Sequence, residues 1–145
     1  MKFHCVNINK RHITSGILDP TGRYCACTDT FNRVLLLDTV DNVIVRMWKG
    51  YRDAQCAWVQ QEGLDPNKER FSMFLAIYAP RRGILEVWQT RVGPRLILLE
   101  VGMNCKLLNT QTALGSGSSP GYNYARAYLM HSHGIVEEVV IKKKV

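Results

Sequence analysis

The sequence predicts an all-β domain made of repeated antiparallel sheets, and three observations predict it. Apolar runs of about five residues recur between turn signals roughly nine residues apart, the spacing of a meandering sheet. No long segment carries a 3.6-residue apolar period, so helices have no competing claim. The pattern also repeats: Asp38 falls on Trp88 and Arg33 on Gly83 at an offset of 50, and Gly83 falls on Gly134 at an offset of 51. A period near fifty built from short strands is the signature of propeller blades rather than of helical solenoids.

The expected fold is therefore a WD40-like β-propeller fragment of about two to three blades, each a four-stranded antiparallel sheet. Its units run roughly over 17–58, 59–101 and 102–145, within one partial propeller domain spanning 1–145. Closed propellers take about 4–8 blades, so the expectation is a fragment of a longer protein or a truncated product, with open sheet edges.

In chain order, Met1–Ser15 has only a hint of a strand, because polar residues break the alternation of Phe3, Cys5, Val6 and Ile8. Asp19-Pro20-Thr21-Gly22 is a turn: proline presets φ and glycine permits a positive one. Tyr24–Thr28 is a short strand, and Asn32 stands where a hairpin takes a left-handed residue. Val34–Asp38 is a continuous apolar run, as in a strand buried on both faces. Asp41-Asn42 turns into the strand Val43–Trp48. Gly50–Gln61 reads as a connection, with a strand opening at Trp58-Val59, and Glu62–Arg70 reads as an exposed polar loop. Phe74–Tyr78, the turn Ala79–Gly83, Ile84–Trp88 and Arg95–Val101 form the second copy. Cys105–Leu108, Ala127–His131 and Gly134–Val139 form a worn third, interrupted by the flexible Gly/Ser-rich loop 115–121. The corner Lys49–Gln55 has no evident counterpart in the other copies.

At 145 residues, 46% hydrophobic and 21% charged, the chain suits a soluble domain with a real core. The net charge of +7 fits nucleic acid, an anionic membrane or an acidic protein partner. Arg81, Arg82, Arg91, Arg95 and Lys142–Lys144 are spread among apolar strands rather than aligned on one element. The alternative function, a general basic β-domain binding nucleic acid or anionic lipid, needs basic residues interleaved with exposed aromatics; the aromatics stand at apolar strand positions instead. Five irregularly spaced cysteines and no secretory leader predict a reducing, cytoplasmic setting. No apolar run approaches the roughly 18 residues of a membrane span.

The candidate site is the aromatic and charged corner. Trp, Tyr and Arg dominate binding hot spots, which marks Trp48, Tyr51 and Arg52 as partner-contact candidates, together with Arg81 and Arg82 on a turn tip. The structural alternative packs Trp48 between blades and leaves Arg52 or Asp53 to satisfy the corner backbone. His131 and His133 share one strand face without further ligands at metal spacing. Cys25 and Cys27 share another, as small buried thiols do. Neither a nucleophile elbow nor a P-loop is present, so no catalytic residue, metal or cofactor is expected.

Three runs carry a further signal: Asn32–Asp38 (NRVLLLD), Met47–Gln55 (MWKGYRDAQ) and Ile77–Trp88 (IYAPRRGILEVW), with Gly93-Pro94-Arg95 following. They resemble the N-terminal region of the non-catalytic, regulatory subunit of the Rab3 GTPase-activating complex. The resemblance covers most of Ile17–Leu108 and returns weakly over Tyr128–Lys143. It implies a β-propeller scaffold in a large cytosolic heterodimer that serves vesicle trafficking. In that family the catalytic subunit carries the activating residues towards Rab3-type GTPases, and the heterodimer also acts as an exchange factor for Rab18. No catalytic residue transfers to this chain, which argues against reading Arg81-Arg82 as an arginine finger. The implied partners are the catalytic subunit and, through the complex, Rab GTPases, with no nucleic acid and no integral membrane segment. The chain departs from the family in size, being a small part of a very long subunit.

Overall fold

The computed structural model describes residues 12–61, 72–110 and 125–142; the loops expected at 62–70 and 115–121 lie outside the described residues. The described elements are all strands. β1 (Ile13–Leu18), β2 (Tyr24–Asp29), β3 (Arg33–Asp38) and β4 (Val43–Lys49) form sheet 1 in that order. β5 (Gln55–Gln60), β6 (Met73–Ala79), β7 (Ile84–Gln89) and β8 (Arg95–Glu100) form sheet 2 in the same way. β9 (Lys106–Thr110), β10 (Arg126–Met130) and β11 (Val136–Val139) form sheet 3, so the expected four strands are found in two of the three sheets. Every pairing is antiparallel, and no sheet closes on itself.

The repeat is sharper in the backbone than in the sequence. Left-handed residues Asn32 (φ 59°), Gly83 (φ 65°) and Gly134 (φ 93°) close the equivalent hairpins, spaced 51 apart each time. Asn32, rather than Arg33, is thus the counterpart of Gly83. Asparagine suffices at the first turn because its short polar side chain tolerates that region. Gly83 has a second constraint, since a Cβ there would stand 3.1 Å from the Gly102 carbonyl carbon. The third and fourth strands of sheets 1 and 2 also share a register shift, at Leu36/Leu37 and at Val87/Trp88.

The corner Lys49–Gln55, expected to be unrepeated, shares two backbone features with the junction between sheets 2 and 3, although the positive-φ glycine is Gly50 in the first and Gly102, the counterpart of Tyr51, in the second. The Tyr51 N–H donates to the Asn32 carbonyl at 2.8 Å, and the Gly102 N–H donates to the Gly83 carbonyl at 3.0 Å. Asp53 (φ 57°) and Asn104 (φ 60°) are both left-handed. What recurs is a backbone hydrogen bond and a short polar residue in the left-handed region. Many sequences satisfy both, so the likeness is hidden from side-chain comparison.

Two strands were not legible as such. Gly50–Gln61 holds β5, a full strand that starts at Gln55 rather than at Trp58. Its glutamines serve the next sheet: Gln55 Oε1 accepts the Leu107 N–H at 2.8 Å, and the Gln60 N–H donates to the Ala125 carbonyl. β1 is an exposed strand at the end of sheet 1 with an irregular register between Ile13 and Ser15, so it lacks a clean alternation.

The sheets stack in chain order with a core between each pair. Ala26, Val34, Leu36 and Trp48 of sheet 1 meet Trp58, Leu75 and Ile77 of sheet 2. On its other face sheet 2 turns Ala57, Val59, Tyr78 and Val87 toward Leu107, Ala127 and Leu129 of sheet 3. Alternation along β5, β6 and β7 sends successive residues to opposite cores, and full burial of each aliphatic side chain contributes about 1.5–3 kcal/mol. The far faces of sheets 1 and 3 keep exposed apolar residues, including Ile44 and Met47, and Met130 and Val136.

Candidate functional site

The corner after β4 is built from its turn outward. Gly50 (φ 81°) reverses the chain, and the Tyr51 amide ties the corner to the β2–β3 turn. This aims the Tyr51 ring inward, where it is buried and its hydroxyl donates to Glu86 Oε2 at 2.6 Å. Burial, together with the Glu86 acceptor, pushes the Tyr51 phenol above its ordinary range, against the opposing influence of the Arg82 guanidinium. Arg82 lies 4.7 Å from the centroid of the same ring. Arg81 reaches across to Asp53, with Nη2 at 2.9 Å and Nε at 3.0 Å from Oδ2. Both partners are mostly exposed, so this pair contributes at most about 1 kcal/mol. Arg52 points into solvent at the tip.

Trp48 has a different role. It is buried between sheets 1 and 2 in an edge-on contact with Trp88, centroids 5.8 Å apart. The Arg46 guanidinium lies 4.9 Å from the Trp48 ring and 5.0 Å from the Trp88 ring, and donates to the carbonyls of Gln89 and Gly93. Desolvation lowers the Arg46 pKa. The structure therefore joins Tyr51, Arg52, Arg81 and Arg82 at one corner, while the Trp48 ring belongs to the core beneath it.

Sequence reasoning missed Glu86. It is wholly buried, yet it accepts from the Tyr51 hydroxyl, from Trp88 Nε1 at 3.0 Å and from Arg95 Nη1 at 3.1 Å. The available signal was an acidic residue inside the apolar run Ile84–Trp88, a placement that burial allows only with partners.

Beside the corner lies an open cleft of about 460 Å³, lined by Thr14, Ser15, Thr28, Asn32, Arg52 and Asp53 among others. Thr28 Oγ1 is 2.6 Å from Thr14 Oγ1 and 2.5 Å from Ser15 Oγ. Asp29 at its edge is spent on Arg33 Nε, a second Arg33 nitrogen, and the Phe31 and Arg33 amides. Burial alone would raise the Asp29 carboxyl, but these donors hold it below the usual carboxylate range.

The remaining candidates carry no comparable arrangement. His131 places Nε2 at 2.8 Å from Glu137 and Nδ1 at 3.6 Å from the Cys105 sulfur, which is itself surrounded by the carbonyls of Val101, Gly102 and Met103. Its ring is 5.3 Å from that of His133. Among the described residues no group of three His, Cys, Asp or Glu side chains is placed to hold a metal ion. Cys25 and Cys27 are free thiols 3.6 Å apart, and burial pushes Cys27 and Cys56 up to about 12, which keeps them protonated and poorly nucleophilic.

Residues 3–108, most of the chain, match the family described as the Rab3 GTPase-activating protein regulatory subunit N-terminus. A curated relative, the Rab3 GTPase-activating protein regulatory subunit of Caenorhabditis elegans, is 44% identical over 69 residues. Those residues are 48% of this chain and 5% of that protein, so the chain matches a small part of its relative's length. No solved structure matches it. The matched span takes in sheets 1 and 2 and the corner that joins them, and the chain belongs to the Rab3 GTPase-activating protein regulatory subunit N-terminal family.

Proposed function

We propose that this chain is a non-catalytic scaffold piece of a Rab GTPase-activating complex, acting by binding the catalytic subunit and so regulating Rab3-type GTPases, and Rab18 through exchange, in cytoplasmic vesicle trafficking. The observation that carries the reading is the family match over residues 3–108, whose description is that of a regulatory subunit. The stacked sheets support a β-propeller partial domain over 1–145, its blades following at a period of 51. Apolar residues left on the far faces of sheets 1 and 3 are what blades present to further blades. In this reading the catalytic subunit meets the corner through Arg52, Arg81 and Arg82, with Tyr51 and Trp48 holding the surface from below.

Affinity capture from cytosol with the tagged chain tests it. The catalytic subunit is expected to co-purify, and the chain alone is expected to leave GTP hydrolysis by Rab3 unchanged. Stimulation by the isolated chain would overturn the non-catalytic role, and absence of the catalytic subunit from the captured material would overturn the scaffold role.

A further inference from the structure

We infer that the cleft beside the corner binds an acidic stretch of a partner polypeptide, with Arg52 and the hydroxyl group of Thr14, Thr28 and Ser15 recognising its carboxylates. This deepens the scaffold reading and rests on it for the existence of a polypeptide partner. The carboxylates at the corner are committed: Asp29 to Arg33, Asp53 to Arg81, and Glu86 to Tyr51, Trp88 and Arg95. At this corner two guanidinium groups have no carboxylate among the described residues, Arg52 at the lip and Arg82 over the Tyr51 ring. Arg52 makes no hydrogen bond or ion pair with any described residue, so its five donors are open to a ligand.

The hydroxyls add a second, independent donor. Thr14, Thr28 and Ser15 own three hydroxyl protons but share only two contacts, both centred on Thr28 Oγ1. One proton is therefore left over, with no acceptor among the described residues. With Asp29 and Asp53 of its lining ion-paired to Arg33 and Arg81, the donors left over in the cleft suit an anionic ligand. Its volume of about 460 Å³ admits a short run of side chains rather than a lone ion.

Polypeptide is favoured over nucleic acid by the state of the aromatic rings. Base stacking along a strand needs several exposed ring faces, whereas Tyr51 and Trp48 are buried and the nearby Phe31, about half exposed, already has the Arg33 guanidinium 5.5 Å from its centroid.

The probe is a fluorescein-labelled hexaglutamate peptide, titrated by anisotropy against the whole chain at low salt. Binding is expected, with Arg52→Gln and Thr28→Val each weakening it about tenfold, the loss of one charge-assisted hydrogen bond. Arg52 contributes nothing to packing, so Arg52→Gln keeps its thermal midpoint and remains decisive if Thr28→Val fails to fold. Unchanged affinity in Arg52→Gln overturns the site. So does displacement of the peptide by inorganic phosphate at equal concentration, or tighter binding of a hexauridylate strand. The capture experiment separates the two proposals. Loss of the catalytic subunit with Arg52→Gln supports the cleft, and equal capture by both chains overturns it while leaving the scaffold role. Capture by neither overturns the scaffold role, and the peptide titration then judges the cleft alone.

Discussion

The two junctions between sheets share one backbone plan and are held by different chemistry. Between sheets 1 and 2, tryptophans, a guanidinium between their rings and the buried Glu86 carboxylate fill the gap. Between sheets 2 and 3, aliphatic side chains and the buried Tyr78 ring fill it, the Tyr78 hydroxyl donating to the Gly102 carbonyl at 2.9 Å, and amides stitch the strands: Asn109 accepts the Trp58 N–H at 2.5 Å and donates to the Trp58 and Arg126 carbonyls. The repeat thus constrains where the backbone turns, while each junction is free to choose its filling. The first junction chose groups that fail badly when one member is lost, because a buried charge then stands alone. It is also the junction beside the exposed arginines.

Glu86 is where the two junctions differ most. Glu86→Ala strands the Tyr51 hydroxyl and the Trp88 N–H without an acceptor and frees the half-exposed Arg95, and is expected to lower unfolding stability by about 3 kcal/mol. A loss under about 1 kcal/mol in chemical denaturation would show that the two junctions are held alike. Asn109→Ala should act on the second junction alone. It removes three hydrogen bonds and should destabilise by about 1–3 kcal/mol. Amide exchange at Trp58 would accelerate, with the β3 amides unaffected.

Acid should act on sheet 1. For Asp38 burial favours the neutral form, but the Asp41 and Val40 amides and the Arg23 guanidinium outweigh it, and its pKa is lowered; Asp29 is lowered by its own donors. A carboxylate depressed in the folded state stabilises fully above its unfolded pKa of about 3.9 and loses that contribution as pH falls through the lower folded value. Stability should therefore decline below about pH 4, and Asp38→Asn should flatten that decline in a pH series of denaturation midpoints. An unchanged slope would remove Asp38 from the account.

The smallest expected effect separates the paired tryptophans. The buried Trp48 Nε1 has no hydrogen-bond partner, whereas Trp88 Nε1 serves Glu86. Trp48→Phe discards an unsatisfied donor and should cost about 1 kcal/mol or less. Trp88→Phe should cost more, and the reverse order in thermal melts would show that Trp48 has a partner after all.

Much of the sheet structure was legible from residue type. β3, β6 and β7 announce themselves as apolar runs between turn residues, with Asn32 and Gly83 marking their hairpins and Gly134 that of β10 and β11. β1 and β5 were obscured because their hydroxyl and amide side chains break the alternation that reveals a strand. At the corner the residue types drew notice, but type could not say which rings were spent inside. Trp48 and Tyr51 turned out buried, and Arg52 stayed open.

Residue order alone carries the all-β class, the near-fifty-residue period and the family, since these rest on local patterns that read the same in any environment. The recurrence of the corner, the buried hub at Glu86 and the meeting of the β1 and β2 hydroxyls beside Arg52 emerge only when the sheets pack. The difference is one of range. Turns and alternation are set by neighbours in the chain, whereas a junction is set by which side chains two separately formed sheets bring together.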